Sequence, residues 1–160
     1  MVEKHALPQN GVAWRTERGC IGLWVPCPQV LVMSLQGYGE AEFAAPTLAA
    51  YETLAKTGQI HFFAEAEHLT NYDSRLRTAM TSRFLPDRQR FGSLRVLVKS
   101  KIVAMGVSVA NLALGGIVDI TTDQEAFKQS LDACLFETHV VGFSSNALQA
   151  LRFQTVAVQA

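Results

Sequence analysis

Four short runs of aliphatic and β-branched residues set the terms for this chain: QVLVMSLQG (29–37), QIHFFAEA (59–66), SLRVLVKS (93–100) and IVDIT (117–121). Each leads into a stretch with helical spacing. Within 37–58, Phe43, Thr47 or Leu48, Tyr51, and Leu54 or Ala55 recur at helical spacing, and Pro46 is tolerable only near a helix start. Leu76, Met80 and Phe84 follow at i, i+4, i+8 and predict a helix over 73–84. Ser100 can cap the next helix, KIVAMGVSVANLALGG (101–116). The last, TTDQEAFKQSLDACL (121–135), opens with Thr122 and Glu125 at capping-box spacing. Strand and helix alternating four times predict an α/β layered fold. The first run is apolar on both faces, as suits a central strand covered on both sides.

The N-terminal third reads as extended. VAWRTER (12–18) alternates, Gly19 permits a turn, and CIGLWV (20–25) follows, a hairpin pattern closed by Pro26 and Pro28. Trp14 and Trp24 are placed to pack on one another across that hairpin or to anchor a partner. The expected architecture is therefore a mixed β-sheet of about five or six strands with an N-terminal hairpin, helices packed on it, and a C-terminal extension. The domain spans 1–135. Residues 136–160 form an apolar arm of the same domain, in which Ser144 or Ser145 can cap a short helix through Phe153, and the arm serves docking or dimerisation.

A chain of 160 residues is long enough for one domain with a proper core. The N-terminal MVEKHALPQNG lacks an apolar h-region, and the longest apolar stretch, 102–120, is interrupted by Asn111, Gly115-Gly116 and Asp119. That stretch reads as a buried helix followed by a buried strand, with no membrane span, and the expected location is cytoplasmic. Three cysteines, Cys20, Cys27 and Cys134, make no disulfide framework, and no histidine stands three or four residues from Cys20 or Cys27. Net charge is zero, yet residues 75–101 hold eight cations against Asp87 alone, a local +7. With no basic excess overall, nucleic acid is not the expected partner.

Enzyme signatures are missing. GFSSN (142–146) departs from a nucleophile elbow, and GYGEAE (37–42) lacks the last glycine of a dinucleotide fingerprint and places Glu40 and Glu42 where phosphate would be repelled. Glu65, Glu67 and His68 form the one acid–base grouping, near the end of a core strand. No cofactor and no metal site are expected.

The order of these units resembles the STAS-like domains, those related to bacterial anti-sigma-factor antagonists. It resembles more closely the branch grouped with Sec14-type lipid-binding folds. The features that carry the likeness are the β-rich N-terminal hairpin, repeated βα units with an early glycine after the first core strand, and VDITTDQEAFKQSL (118–131) running from strand into capped helix. The similarity covers residues 12–135. In antagonists of that family a loop shaped like Asp-Ser-Ser-Gly-Leu opens a helix, and phosphorylation of its serine controls partner binding. NYDSRL (71–76) matches at Asp73 and Ser74, but Arg75 and Leu76 stand where the pattern has serine and glycine. The resemblance thus implies a regulatory role for this junction, with Asp73 as cap, Ser74 as phospho-acceptor, and Arg75 and Arg77 as charge partners. Asp and Ser are also ordinary helix caps that require no kinase.

The leading expectation is a non-enzymatic regulatory or scaffolding module that binds a protein partner, a homodimer included, controlled at the loop–helix junction. The alternative is a carrier of a small apolar ligand or lipid, in keeping with the apolar excess in 101–114 and the arm.

Overall fold

The computed structural model describes residues 2–54, 56 and 58–151. Seven strands form a single sheet: β1 (Glu3–Leu7), β2 (Gly11–Arg15), β3 (Gly19–Cys27), β4 (Val30–Gly39), β5 (Ile60–Tyr72), β6 (Phe91–Val98) and β7 (Asp119–Thr121). Their spatial order is their sequence order, with β1 to β4 antiparallel neighbours and β4 to β7 parallel ones. The helices are α1 (Ala44–Leu54), α2 (Ser74–Phe84), α3 (Lys101–Ala113) and α4 (Gln124–Glu137). The α/β class is as the alternation predicts, but there are seven strands where five or six were expected. The additional strand is β1, joined to β2 by a turn in which Gln9 and Asn10 both take positive φ (59° and 62°). Such mirror-image turns match the twist of paired strands.

Right-handed crossovers between parallel strands in consecutive order must put α1, α2 and α3 on one face. One core cluster joins Tyr51, Leu76, Phe84 and Val103 to Leu31, Met33, Phe62 and Leu94 of the sheet. The opposite face is covered by α4 and by residues 145–151, where Phe127, Leu131, Leu148 and Leu151 pack with Trp24, Val32, Phe63 and Leu97. The first core strand, β4, is buried on both sides through Gln36, as its doubly apolar pattern requires. Gly37 ends this buried stretch with φ +71°, and a Cβ there would run into the Arg18 carbonyl.

Three local expectations are corrected. Trp14 pairs across the hairpin with Ile21, so it shares that residue's face, whereas Trp24 projects to the other face and donates to the Pro8 carbonyl at 3.2 Å. The two tryptophans therefore cannot stack. The cap of α4 is Asp123, which accepts from the Ala126 amide at 3.1 Å, and not Thr122. Helix α3 is only half buried. Val103 and Gly106 face the core, while Ile102, Met105, Val109 and Leu112 are 56, 67, 49 and 83% exposed. The Ser145 hydroxyl and amide are held by Asp132 of α4 at 2.9 and 3.0 Å, and a 3-10 turn follows at Ser145–Leu148. Phe153 and the rest of the expected arm beyond Leu151 lie outside the described residues.

Candidate functional site

The parallel strands β4 and β5 end side by side, Gly39 opposite Tyr72, and the Asp73 amide donates to the Gly39 carbonyl at 2.8 Å. This fixes where α2 starts. Asp73 is its N-cap: one carboxylate oxygen accepts from the Arg75 amide at 2.9 Å, and the other pairs with the Arg75 guanidinium at 2.8 Å. These bonds, the guanidinium first, hold the Asp73 carboxyl down at a pKa of about 2. Ser74 is exposed at the first helical position. Beside it, Arg18 lies 4.0 Å over the Tyr38 ring and pairs with Glu40 at 2.7 Å, and Thr16 also donates to Glu40. The Arg18 bond lowers the Glu40 pKa.

Asp73, Ser74 and Arg75 thus stand together, as the sequence places them. Arg77 does not join them. It lies one position from Leu76 and in the same helical stripe as Met80 and Thr81, which takes it to the rim of a cavity beneath the helices. There its Nη1 donates to the Tyr72 hydroxyl at 3.0 Å.

That cavity, of about 120 Å³, lies between α2 and α3 over the sheet. Small residues leave the room: Ala64 and Ala66 of β5, Gly106 and Ala110 of α3. Its other walls include Met33, Leu35, Phe62, Met80 and Val107, and no carboxylate lines it. Sequence reading missed the cavity because nearly all of its wall residues are apolar side chains that also suit a solid core. The signal within reach was Arg77, a cation set into the apolar stripe of α2.

A third feature is the outer face of α3. Its exposed apolar residues follow 3-4-3 spacing, the repeat of a two-helix seam. Inner and outer faces of this helix are both apolar, so periodicity could not separate them.

The acid–base grouping lies where the register of β5 against β4 shifts, between Glu65 and His68. Glu65 is buried on β5, while Glu67 stands 3.9 Å from an exposed His68 and none of the three lines the cavity. Among the described residues, no group of three His, Cys, Asp or Glu side chains is placed to hold a metal ion, and no helix is long and apolar enough to cross a membrane. Cys20 and Cys134 are buried thiols, with Cys134 pushed up to about 11 by burial.

A hairpin-led sheet continued by parallel βα units, with three helices on one face and one on the other, is similar to a solved structure of SpoIIAA-like, that is STAS-like, fold. One similar solved structure is that of an uncharacterised protein of the DUF3478 family with a SpoIIAA-like fold from Shewanella loihica PV-4. The likeness has a TM-score of 0.53 and 15% identity, and it covers 73% of this chain and 98% of that one. No family model matches the sequence. No curated protein matches it.

Proposed function

We propose that this chain is a non-enzymatic interaction module of STAS-like type, that the outer face of α3 is its contact surface, and that the first occupant of that surface is a second copy of the chain. The single observation carrying this reading is the stripe Ile102, Met105, Val109 and Leu112, exposed on a helix whose only charge is Lys101. Two such stripes are self-complementary. An antiparallel pairing sets Ile102 against Leu112 of the second copy and Met105 against its Val109. It also brings Lys101 to the second helix's C-terminus, where the dipole favours a cation, whereas a parallel pairing would oppose two lysines. Sedimentation of the wild type and of Met105→Lys/Leu112→Lys tests the reading. A dimer that the double variant dissociates without loss of melting temperature supports it. A wild type that remains monomeric at hundreds of micromolar ends it.

Regulation at the start of α2 is the finer part of the proposal. Ser74 is exposed, Arg75 is adjacent, and α2 packs beside α3, so a phosphate on Ser74 would alter charge next to the contact helix. If Ser74→Asp and Ser74→Ala associate alike, control at this junction is refuted.

The cavity supports a second reading, a binder of small apolar ligands. A wholly apolar hollow with polar groups only at its rim is the usual form of such a site. Native mass spectrometry of gently purified protein distinguishes the two readings by the presence of a bound small mass or of a ligand-free dimer.

A further inference from the structure

The polar side chains lining the cavity are Tyr72, Arg77 and Thr81, and the first two meet at its rim. Arg77 comes from a basic segment in which four other arginines are paired with carboxylates: Arg75 with Asp73, Arg83 and Arg90 with Asp87, Arg95 with Asp119. Among the described residues Arg77 has no carboxylate partner, only the Tyr72 hydroxyl. That hydroxyl accepts from Arg77, so its own proton remains to be donated. Its position is fixed by α3, because Gly106 presents no side chain where the Tyr72 hydroxyl lies. A guanidinium and a phenol O–H, converging at the mouth of an apolar hollow, are best matched by an ionised acceptor with no donors of its own.

We propose that the cavity binds a small monocarboxylic acid, its carboxylate held by Arg77 and Tyr72 and its apolar body lying between α2 and α3. This inference rests on the ligand-binding reading above. The class follows from three facts. A carboxylate is the acceptor that satisfies both donors at once, while an alcohol or amine would bring a proton of its own. No acidic side chain lines the cavity to repel an anion. Apart from the Thr81 hydroxyl, the rest of the lining offers no polar side chain to a second carboxylate or a hydroxyl, which would be buried unpaired. Size sets the body: a cavity of about 150 Å³ accepts benzene, so a space of about 120 Å³ suits some five carbons. A short free acid and the head of a longer acyl chain share this chemistry.

The test is calorimetric titration of the full chain at pH 7 with pentanoate, 1-pentanol and decanoate. Pentanoate should bind at least about tenfold more tightly than pentanol, in line with a hydrogen-bonded charge pair. Arg77→Met should remove that advantage while leaving pentanol binding unchanged, and Tyr72→Phe should reduce it in part. Both variants must retain the wild-type circular dichroism. Tighter binding of decanoate than of pentanoate assigns the site to a long-chain acid, and the reverse assigns it to a short one. If pentanol binds as well as pentanoate, or Arg77→Met changes nothing, the carboxylate assignment is overturned while the ligand-binding reading stands. If none of the three probes binds, both are overturned.

Discussion

The Tyr72 hydroxyl occupies the space over Gly106 that any side chain on α3 would fill. Strand β5 and helix α3 are locked at that point, and a residue with poor helix propensity is retained inside a helix for it. Gly106→Ala would ordinarily gain about 1 kcal/mol of helix propensity. Here the new methyl group must displace Tyr72, and overpacking costs about 1–3 kcal/mol. We expect a net loss near 1 kcal/mol by urea unfolding. In a Tyr72→Phe background the same alanine should cost about 1 kcal/mol less, a coupling that a double-mutant cycle reads directly. Stabilisation by Gly106→Ala alone would mean that the two elements are not locked there.

Acid sensitivity should show the Asp73–Arg75 pair. The Asp73 carboxyl falls from an ordinary 3.8 to about 2 in the folded chain because Arg75 hydrogen-bonds its ionised form. A lowered folded pKa contributes stability that is complete above 3.8 and lost as pH falls through about 2. Asp73→Asn keeps a competent N-cap but removes the charge. The melting-temperature gap between wild type and Asp73→Asn should therefore be flat above about pH 5 and close on acidification. A gap that persists to pH 2 would contradict the pairing.

Two phenylalanines of α4 should respond oppositely. Phe127 is fully buried on the second face of the sheet, edge-on to Phe63 with ring centroids 6.0 Å apart. Phe127→Ala should cost about 3–5 kcal/mol. Phe136, 83% exposed, should tolerate alanine within about 0.5 kcal/mol. Equal effects would mean that α4 is rotated from its described seat.

Thiol labelling gives a further check. Cys20 and Cys134 are buried and Cys27 is partly exposed. Burial raises the pKa of both enclosed thiols, to about 11 for Cys134. Maleimide at pH 7.5 should modify Cys27 first, and Cys20 and Cys134 should react only on unfolding. Rapid labelling of Cys134 in the native protein would show that the α4 face opens.

How far these features could be read from sequence depends on whether one physical pattern dominated. The start of α2 was fully legible, because Asp73, Ser74 and the Leu76–Met80–Phe84 stripe agree in marking it. The strand β1 was hidden, since only Leu7 of its five residues is buried and an exposed edge strand shows no alternation. Strand β5 was expected to stop at Ala66 but reaches Tyr72. Its register against β4 shifts between Glu65 and His68 and again after Leu69, and each shift breaks the period of two. Those extra residues carry Tyr72 to its place over α3. At α3 the pattern was ambiguous in itself, because a helix apolar on both sides reads as buried whether or not one side meets water.

The strict agreement between strand order and chain order also governs how this molecule can assemble. Each strand pairs with the one made just before it, so no segment must wait for a distant partner. The parallel pairs still enclose a helix each, yet those closures are short compared with folds whose central strands come from opposite ends of the chain. Growth can proceed from the hairpin edge towards β7 as the polypeptide emerges from the ribosome, and α4 follows once the sheet's strands have been made. A molecule built this way exposes one temporary sheet edge at a time during synthesis, and its final edge, three residues long, gives an incoming chain little to pair with.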